Sequence, residues 1–208
     1  MIIINSPTFY GAKEAIRGMR NSYNSWGKSD SKTVDGKFII GERDLELMHK
    51  LSISSSDHRK FLRMMIVYMD ITAPLYWWKE FDTYKVGTVA NSCSTMHRIT
   101  AKPFEFDDFS HDQISKDIQN NSDEYLITVV RWLNNIRDRY LLKKNKQSWW
   151  DIIQLLPSSY NQTRTVMLNY EVLKNIYFAR QSHKLDEWKY FCDYISTFPN
   201  ANELIISK

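Results

Sequence analysis

The alternation of apolar and polar positions divides the chain into short helices and strands. Apolar residues at helical spacing predict helices, and short β-branched runs between turn residues predict strands. The predicted helices are 11–26, 42–51, a segment opened by Pro74, 123–142, a short helix capped by Ser148 and ending before Pro157, 169–180 and 185–197. The predicted strands are 2–5, 61–72 and 162–168, the last with a helical start as its alternative. The predicted irregular stretches are 24–37 as a loop, 87–98 as a loop or irregular strand, and 102–111 as surface.

These elements predict the fold class. Helices and strands are interspersed along the chain, and neither an internal repeat nor a low-complexity tract is present. We therefore expect a mixed α/β (α+β) fold, helix-rich, built around a small central sheet. The length of 208 residues suits a single domain covering 1–208.

The helix predicted over 169–180 carries polar groups on its apolar face. At about 100° per residue, Arg180 lies within about 20° of Asn169 and shares the face of Leu173 and Ile176. An amide and a guanidinium on such a face must find hydrogen-bond partners, because burying them without partners is costly. A bound anion or cofactor is one such partner. Asn169 is equally suited to cap the helix, and the two roles are compatible.

Composition excludes some classes of protein. The hydrophobic content of 43% suffices for a core, yet no run approaches the length of a membrane span. Neither a membrane nor an export signal is indicated, so we expect a cytoplasmic protein. Two cysteines cannot form a disulfide framework or a four-thiolate zinc site, and no histidine pair has metal-ligand spacing, so we expect no metal. The net charge of +4 is far below that of a typical DNA-binding domain, so we expect no nucleic-acid partner.

Two groups of side chains are candidates for chemistry on residue type alone. Ser92, Ser94 and His97 lie close in sequence, but a nucleophilic Ser–His pair needs spatial proximity, and the local sequence favours a polar surface loop. Four basic residues are either phosphate ligands or solvated charges. They are Lys85, Arg98, Arg164 and Arg180.

Four stretches of the chain carry a resemblance to a known family. After Leu156-Pro157 come Asn169, Leu173, Asn175 and Arg180, then Ser182-His183 and Glu187-Trp188. This order is similar to the pattern LP…N-x-R-x-L-x-x-F-x-x-x-R, followed by S-H…W-E, of the flavin-dependent thymidylate synthases. Glu171 stands where that family often has arginine. The stretches IVYMDITAPLYWWKEF, AIRGMRNSY and ERDLELMHKL resemble further family segments in the family's order, so the resemblance covers nearly the whole chain.

One family signature is altered in this chain. The family has RHR-x-x-S-x-N-x-x-S-x-R after its aromatic helix, and here Thr83-Tyr84-Lys85 stands at the arginine-histidine-arginine triplet. Asn91 and Ser94 keep the N-x-x-S spacing. Met96 stands two positions beyond that serine in place of arginine, and Arg98 follows two positions further on. In the family the signature contacts flavin and the nucleotide phosphate, so both contacts are expected to differ here.

The resemblance implies an activity and an assembly. The family consists of homotetramers of mixed α/β subunits, with active sites built from several subunits. Its members bind FAD, reduce it with NADPH, and transfer a one-carbon unit from methylenetetrahydrofolate to C5 of dUMP. They use no cysteine nucleophile. The leading hypothesis is thus an FAD-dependent thymidylate synthase-like methyltransferase, with a non-catalytic or altered-substrate nucleotide- or flavin-binding paralogue as the alternative. A nucleic-acid-binding protein that uses Trp, Tyr and Lys residues is the weakest hypothesis.

The resemblance also implies site residues. Arg180 matches the arginine that faces the pyrimidine, where it can stabilise negative charge on the ring. The implied flavin contacts are Asn169, Asn175, Tyr84, Lys85 and Asn91. The implied nucleotide contacts are Lys85, Ser94, Arg98, Arg164 and Arg180, with Arg164 displaced by one residue from the family's position. Which pyrimidine is modified, and whether the product carries a methyl or hydroxymethyl group, stays open.

Overall fold

A computed structural model of the chain describes residues 2–114 and 116–208. The strands are β1 (Ile3–Tyr10), β2 (Lys32–Val34), β3 (Lys37–Ile39), β4 (Ile66–Pro74), β5 (Val89–Ser92) and β6 (Asn161–Asn169). The helices are α1 (Ala12–Met19), α2 (Glu42–Ser52), α3 (Leu75–Phe81), α4 (Thr95–Arg98), α5 (Lys116–Lys143), α6 (Lys146–Leu155), α7 (Tyr170–Arg180), α8 (Asp186–Ile195) and α9 (Ala201–Leu204). The predicted mixed, helix-rich class is confirmed. Over the described ranges, no helix combines the length and apolarity that a bilayer crossing requires.

The strands form two sheets. The larger sheet has four strands in the order β1-β4-β6-β5. β2 and β3 pair as an antiparallel hairpin in which Lys32 lies opposite Ile39. The hairpin turns at Asp35 and Gly36, whose φ values of 49° and 76° are the left-handed pair that a tight hairpin turn requires. The prediction that 24–37 is a loop is therefore wrong over β2.

Contacts divide the chain into two compact units. Unit 1 comprises the chain start through Ile3, Ile71–Thr83 and Asn91–Arg164. Unit 2 comprises Ile4–Asp70, Tyr84–Ala90 and Thr165–Lys208.

The core of unit 1 is built from α5, α6 and the segment between α4 and α5. Its buried members are Ile99, Phe104, Phe109, Leu133, Ile136 and Ile152. Phe104 and Phe109 are only 4% and 1% exposed, so the prediction that 102–111 is surface is wrong for its aromatic residues. Burying these two rings anchors the segment that lines the cavity described below.

The core of unit 2 includes the faces of α7 and α8. Leu173 and Ile176 of α7 are fully buried, as their predicted stripe requires. On α8, Trp188 and Phe191 are likewise buried, and α7 packs against α8. This packing fixes the position of the last turn of α7, which carries Arg180.

Two predicted boundaries near the sheet are wrong. The predicted helix 11–26 ends at Met19 and continues as short 3₁₀ turns. The predicted strand 61–72 begins only at Ile66, because residues 59–64 form a 3₁₀ helix. Its neighbours Phe61 and Leu62 are both buried, which the alternation of a half-buried strand does not allow.

The start of α6 also differs from the prediction. Ser148 was the predicted cap, but the cap is Asn145, whose side-chain oxygen accepts a hydrogen bond from the Ser148 N–H at 2.7 Å. Both residue types are good caps, so the sequence pattern alone selects the wrong one.

Candidate functional site

The junction between β6 and α7 is organised by Asn169. Asn169 is the last residue of β6, has extended backbone angles, and is 2% exposed. Its side-chain oxygen accepts a hydrogen bond from the Val172 N–H at 3.0 Å. The predicted capping role is therefore confirmed, and the cap satisfies one of the N–H groups that a helix start leaves unpaired.

The same amide holds a second segment of unit 2. The Nδ2 of Asn169 donates to the carbonyl oxygens of Val86 at 2.9 Å and Gly87 at 3.2 Å. Gly87 has a φ of 65°, and a Cβ there would lie 3.2 Å from that nitrogen. Glycine at 87 therefore permits both the left-handed backbone and the close approach of Asn169.

Arg180 lies at the other end of α7, between two aromatic rings. Its Nε donates to the Tyr84 hydroxyl at 2.9 Å. Its guanidinium carbon is 4.9 Å from the centroid of the Trp188 ring and 5.6 Å from that of Tyr84. These distances are those of cation–π contacts, which orient a guanidinium as well as stabilise it. The guanidinium of Arg180, which was predicted to need a hydrogen-bond partner, therefore has one in the Tyr84 hydroxyl.

Residues 84–87 therefore run alongside α7, and we call this segment the 84–87 strap. Tyr84 contacts the C-terminal end of the helix, and the carbonyls of residues 86 and 87 contact its N-terminal end at Asn169. The strap contains two of the three residues at the altered triplet, Tyr84 and Lys85. The structure thus brings Tyr84 of the altered triplet to the C-terminal end of α7, although the two are 96 residues apart in the sequence.

The predicted residues of unit 2 take different places around the strap. Tyr84 and Lys85 belong to the strap, and Lys85 is exposed. The strap is contacted by Arg180 at Tyr84 and by Asn169 at Val86. Asn175 lies on an exposed side of α7.

Cys192 on α8 has the chemistry of a core thiol. Burial raises the pKa of Cys192 to about 12, and Asp193 adds to the rise while Arg180 opposes it. A thiol with such a pKa does not form the thiolate that nucleophilic catalysis needs. The prediction that this cysteine has no catalytic role agrees with that pKa.

Unit 1 contains a cavity of about 610 Å³. Its lining includes Ser94, Arg98, Lys102, Asp108, His111 and Tyr160. The volume lies in the range of small-molecule sites, and the lining combines apolar walls from the core with cations and hydroxyl groups. Two of the predicted nucleotide contacts, Ser94 and Arg98, are among its lining residues.

An ion pair lies in the wall of this cavity. The Nζ of Lys102 donates to Asp108 at 2.7 Å. That hydrogen bond raises the pKa of Lys102, although partial burial opposes the rise. Burial raises the pKa of Tyr160, with the Asp108 charge adding to it. Both groups therefore keep their protons at neutral pH, so Lys102 is a cation and Tyr160 a neutral hydroxyl.

The predicted polar loop forms a short strand and one turn of helix. Ser94 caps α4, because its hydroxyl accepts a hydrogen bond from the His97 N–H at 3.0 Å. His97 is exposed, and its contact with Ser94 runs through the backbone rather than the imidazole. Asn91 is exposed on β5. The prediction of a loop is therefore wrong over α4, and Ser94 contacts the backbone of His97 rather than the imidazole that a nucleophilic Ser–His pair requires.

Arg164 is engaged by neighbours within unit 1. Its Nη1 donates to both carboxylate oxygens of Asp82, at 2.9 and 3.1 Å, and its Nε donates to Gln162 at 2.9 Å. The guanidinium carbon lies 4.2 Å from the centroid of the Trp78 ring. The predicted nucleotide contact at Arg164 thus starts from a guanidinium whose charge is already paired.

Two features of this region were not predicted. Trp188 forms one wall beside Arg180, and the Glu-Trp pair in the family-like stretch was its only signal. Glu171, 4% exposed, pairs with Arg63 through a hydrogen bond and with Arg59 at 3.5 Å. Its departure from the family's arginine was visible in the sequence, but its partners were not.

The fold places the chain beside a defined group of enzymes. No known family model matches this sequence, and no curated protein matches it. Solved structures do match, and the fold is that of the flavin-dependent thymidylate synthases, which confirms the resemblance at the level of the fold. One such structure is the flavin-dependent thymidylate synthase ThyX from Helicobacter pylori complexed with FAD and dUMP. It has a TM-score of 0.69 and 18% identity, and the match covers 99% of this chain and 97% of that one.

Two further structures have the same fold. A second structure of the Helicobacter pylori enzyme with FAD and dUMP has a TM-score of 0.67 and 17% identity over 99% of this chain and 96% of that one. A UMP/dUMP methylase, PolB from Streptomyces cacaoi bound with 5-Br dUMP, has a TM-score of 0.67 and 14% identity. That match covers 95% of this chain and 89% of the methylase.

Proposed function

We propose that this chain is a flavin-dependent methyltransferase of the thymidylate synthase type. It transfers a one-carbon unit from methylenetetrahydrofolate to C5 of dUMP or a related pyrimidine deoxynucleotide, with NADPH as reductant. The fold shared with enzymes bound to FAD and dUMP supports this proposal, and so does the contact of Arg180 with Tyr84. From the family resemblance we also propose that residues 1–208 form a single domain and that the protein assembles as a homotetramer, which sedimentation of the purified protein tests.

The cluster around Arg180 suits a flat heterocycle that carries carbonyl oxygens. Trp188 and Tyr84 provide ring surfaces, and the guanidinium provides hydrogen-bond donors in one plane. FAD, when bound, supplies the two-electron reduction that no side chain of this protein can perform. The chain's part is to bind, orient and stabilise charge.

Each predicted site residue except Arg164, whose guanidinium is paired with Asp82, has a role in the proposal. Arg180 stabilises negative charge that develops on the pyrimidine ring carbonyl and N3. Lys85 is the proposed phosphate ligand of unit 2, and Ser94 and Arg98, which line the cavity of unit 1, are the proposed phosphate ligands of that unit. Lys85, Asn91, Asn169 and Asn175 serve the flavin, with Asn169 acting through the strap that it holds. Tyr84, also predicted to contact the flavin, is instead hydrogen-bonded to Arg180.

A flavin-uptake and turnover experiment tests the proposal. Purified protein is mixed with FAD, freed of excess and examined for the visible flavin spectrum, and then supplied with methylenetetrahydrofolate, NADPH and either dUMP or dCMP. We expect uptake of FAD and a nucleotide product heavier by one methylene group. Protein that takes up no FAD and forms no product with either nucleotide would refute the proposal.

A matched pair of variants tests the role of Arg180. We expect Arg180→Ala to lower turnover by about a hundredfold or more while the fold persists, since removing one donor to a developing oxyanion has effects of that size. Arg131→Ala, at an exposed position of α5, serves as the control and is expected to retain activity. Equal activities in the two variants would exclude the proposed role.

The alternative is a paralogue that binds flavin or nucleotide with no turnover or with another substrate. Its support is that Arg164 is paired with Asp82 and that lysine is the only cation left in the altered triplet. Lysine offers a point charge without the two-pronged geometry of arginine. FAD and dUMP binding without NADPH oxidation in the experiment above would favour this alternative.

A further inference from the structure

The Tyr84 hydroxyl acts as an acceptor, not a donor, in its hydrogen bond with Arg180. Its oxygen accepts a hydrogen bond from the N–H of Arg180 Nε at 2.9 Å, so the phenolic proton is not used in this bond. Among the residues that the structure describes, no acceptor for that proton is found. Tyr84 is half-buried, so water or a ligand can reach its hydroxyl group.

The surroundings fix the plane of the guanidinium. Its Nε is held by Tyr84, and its carbon lies 4.9 Å from the Trp188 ring centroid. The Tyr84 and Trp188 rings are themselves in edge contact, with centroids 6.1 Å apart at 66°. A guanidinium held at Nε and against one ring loses most of its rotational freedom, which lowers the entropic cost of the hydrogen bonds that it makes to a ligand.

From this geometry we infer that Tyr84 positions Arg180 and adds its own hydroxyl proton as a second donor to the same ligand. The ligand group is a carbonyl oxygen of a flat pyrimidine ring, and this identity rests on the proposed function. A guanidinium that donates to a phenol oxygen polarises the hydroxyl and makes it a stronger donor. A hydroxyl donor beside a guanidinium suits a ring carbonyl, which accepts two hydrogen bonds, better than a phosphate dianion, which favours several cations.

The inference gives the altered triplet a function. Where the family's signature has two arginines and a histidine, this chain has one lysine and a tyrosine. Tyr84 stands at the histidine position of that triplet and brings a hydroxyl group that is bound to Arg180, on the strap that Asn169 anchors at its other end. Tyr84 is thus a positioning residue that also touches the ligand.

A double-mutant cycle tests this inference. Affinity for dUMP is measured by calorimetry on FAD-loaded protein for Tyr84→Phe, Arg180→Lys and the double variant. Tyr84→Phe keeps the ring and removes the hydroxyl, and we expect it to weaken dUMP binding about tenfold. In the Arg180→Lys background the same change is expected to alter affinity less than about twofold, because the two residues act as a unit. Tyr190→Phe, at an exposed tyrosine of α8, is the matched control.

A second measurement is independent of any ligand. The Arg180 Nε–H proton is followed by NMR in unliganded protein, where its hydrogen bond to Tyr84 slows exchange with water. We expect Tyr84→Phe to speed this exchange and Tyr190→Phe to leave it unchanged. Tyr84→His is a further variant. A given nitrogen of a histidine ring either accepts or donates a hydrogen bond, whereas the tyrosine hydroxyl does both at one atom. We therefore expect the dUMP affinity of Tyr84→His to lie between those of wild type and Tyr84→Phe.

The outcomes separate the two proposals. If Tyr84→Phe leaves both dUMP affinity and Arg180 exchange unchanged, or if its effect persists in the Arg180→Lys background, the inference is overturned. If wild-type protein binds neither FAD nor dUMP, the proposed function fails and so does the donor role. In that case the exchange rate of the Arg180 Nε–H proton, compared between wild type and Tyr84→Phe, still decides whether Tyr84 positions the guanidinium.

Discussion

The amide of Asn169 is predicted to perform two separable tasks, capping α7 and holding the 84–87 strap. Asn169→Ala removes the acceptor for the Val172 N–H and the donor to the carbonyls of Val86 and Gly87. The side chain is 2% exposed, so water does not replace it in the folded protein without rearrangement. The substitution therefore affects both the start of the helix and the attachment of the strap.

The magnitude follows from the three hydrogen bonds. Loss of the cap costs about 1 kcal/mol. Val86 and Gly87 are exposed, so water can reach their carbonyls once the strap loosens, and the two bonds together contribute about 1 kcal/mol. We expect Asn169→Ala to lower the free energy of unfolding by about 2 kcal/mol, which for a chain of this size lowers the melting temperature by about 4–8 °C.

Asn169→Asp separates the two tasks. A carboxylate still accepts from Val172 and is favoured by the dipole at the helix start, but it cannot donate to the strap carbonyls and repels them. We expect the Val172 amide to keep its protection from hydrogen exchange in Asn169→Asp and to lose it in Asn169→Ala. Trypsin cleavage after the exposed Lys85 is expected to speed up in both variants.

The control for these variants lies on the same helix. Asn175→Ala, at an exposed position, is expected to change the free energy of unfolding by less than about 0.5 kcal/mol. The reasoning is refuted if Asn169→Ala and Asn175→Ala have the same stability. It is also refuted if Asn169→Asp leaves trypsin cleavage at Lys85 at the wild-type rate.

Three further predictions concern charged groups. Glu171→Gln is expected to lower the melting temperature by several degrees, because two arginines lose their shared partner, and a melting temperature equal to wild type would contradict this. Burial lowers the pKa of Lys174 to about 8, with the charge of Arg59 contributing, so the unfolded chain holds this proton more tightly than the folded one. Stability should therefore rise relative to a Lys174→Met variant as pH increases from about 8 to about 10, and parallel pH profiles in urea unfolding would exclude it. Arg164→Ala is expected to lower the free energy of unfolding by about 1–2 kcal/mol and to change dUMP affinity less than about twofold; a large loss of affinity with unchanged stability would make it a ligand contact instead.

The elements with a strong local signal were predictable from the sequence. The cap at Asn169, the buried stripe of α7 and the closing helix α8 follow from residue type and helical spacing, which act within a few residues. The partners of the polar groups on α7 were not predictable. Asn169 pairs with Val86, which lies 83 positions earlier in the chain, and Arg180 pairs with Tyr84, which lies 96 positions earlier. A single sequence contains no signal for such pairing.

The errors have local physical causes. The run at 61–65 reads as a strand because it is apolar, but adjacent residues Phe61 and Leu62 are both buried in a 3₁₀ helix. The hairpin of β2 and β3 was missed because each of its strands is only three residues long and begins with lysine, so neither shows the apolar run of a predicted strand. The segment around Phe104 and Phe109 looked exposed because acidic residues outnumber its two buried rings.

The pairing of Glu171 with Arg59 and Arg63 constrains which mutations this chain can accept together. A single change from Glu171 to the family's arginine would place three guanidinium groups around a site that now holds one carboxylate between two of them. The first step along that route is unfavourable unless position 59 or 63 has already lost its charge. Residues 59, 63 and 171 therefore form an epistatic set, and a chimera that exchanges α7 alone with a family member is expected to fold less stably than one that also exchanges the 3₁₀ segment at 59–64.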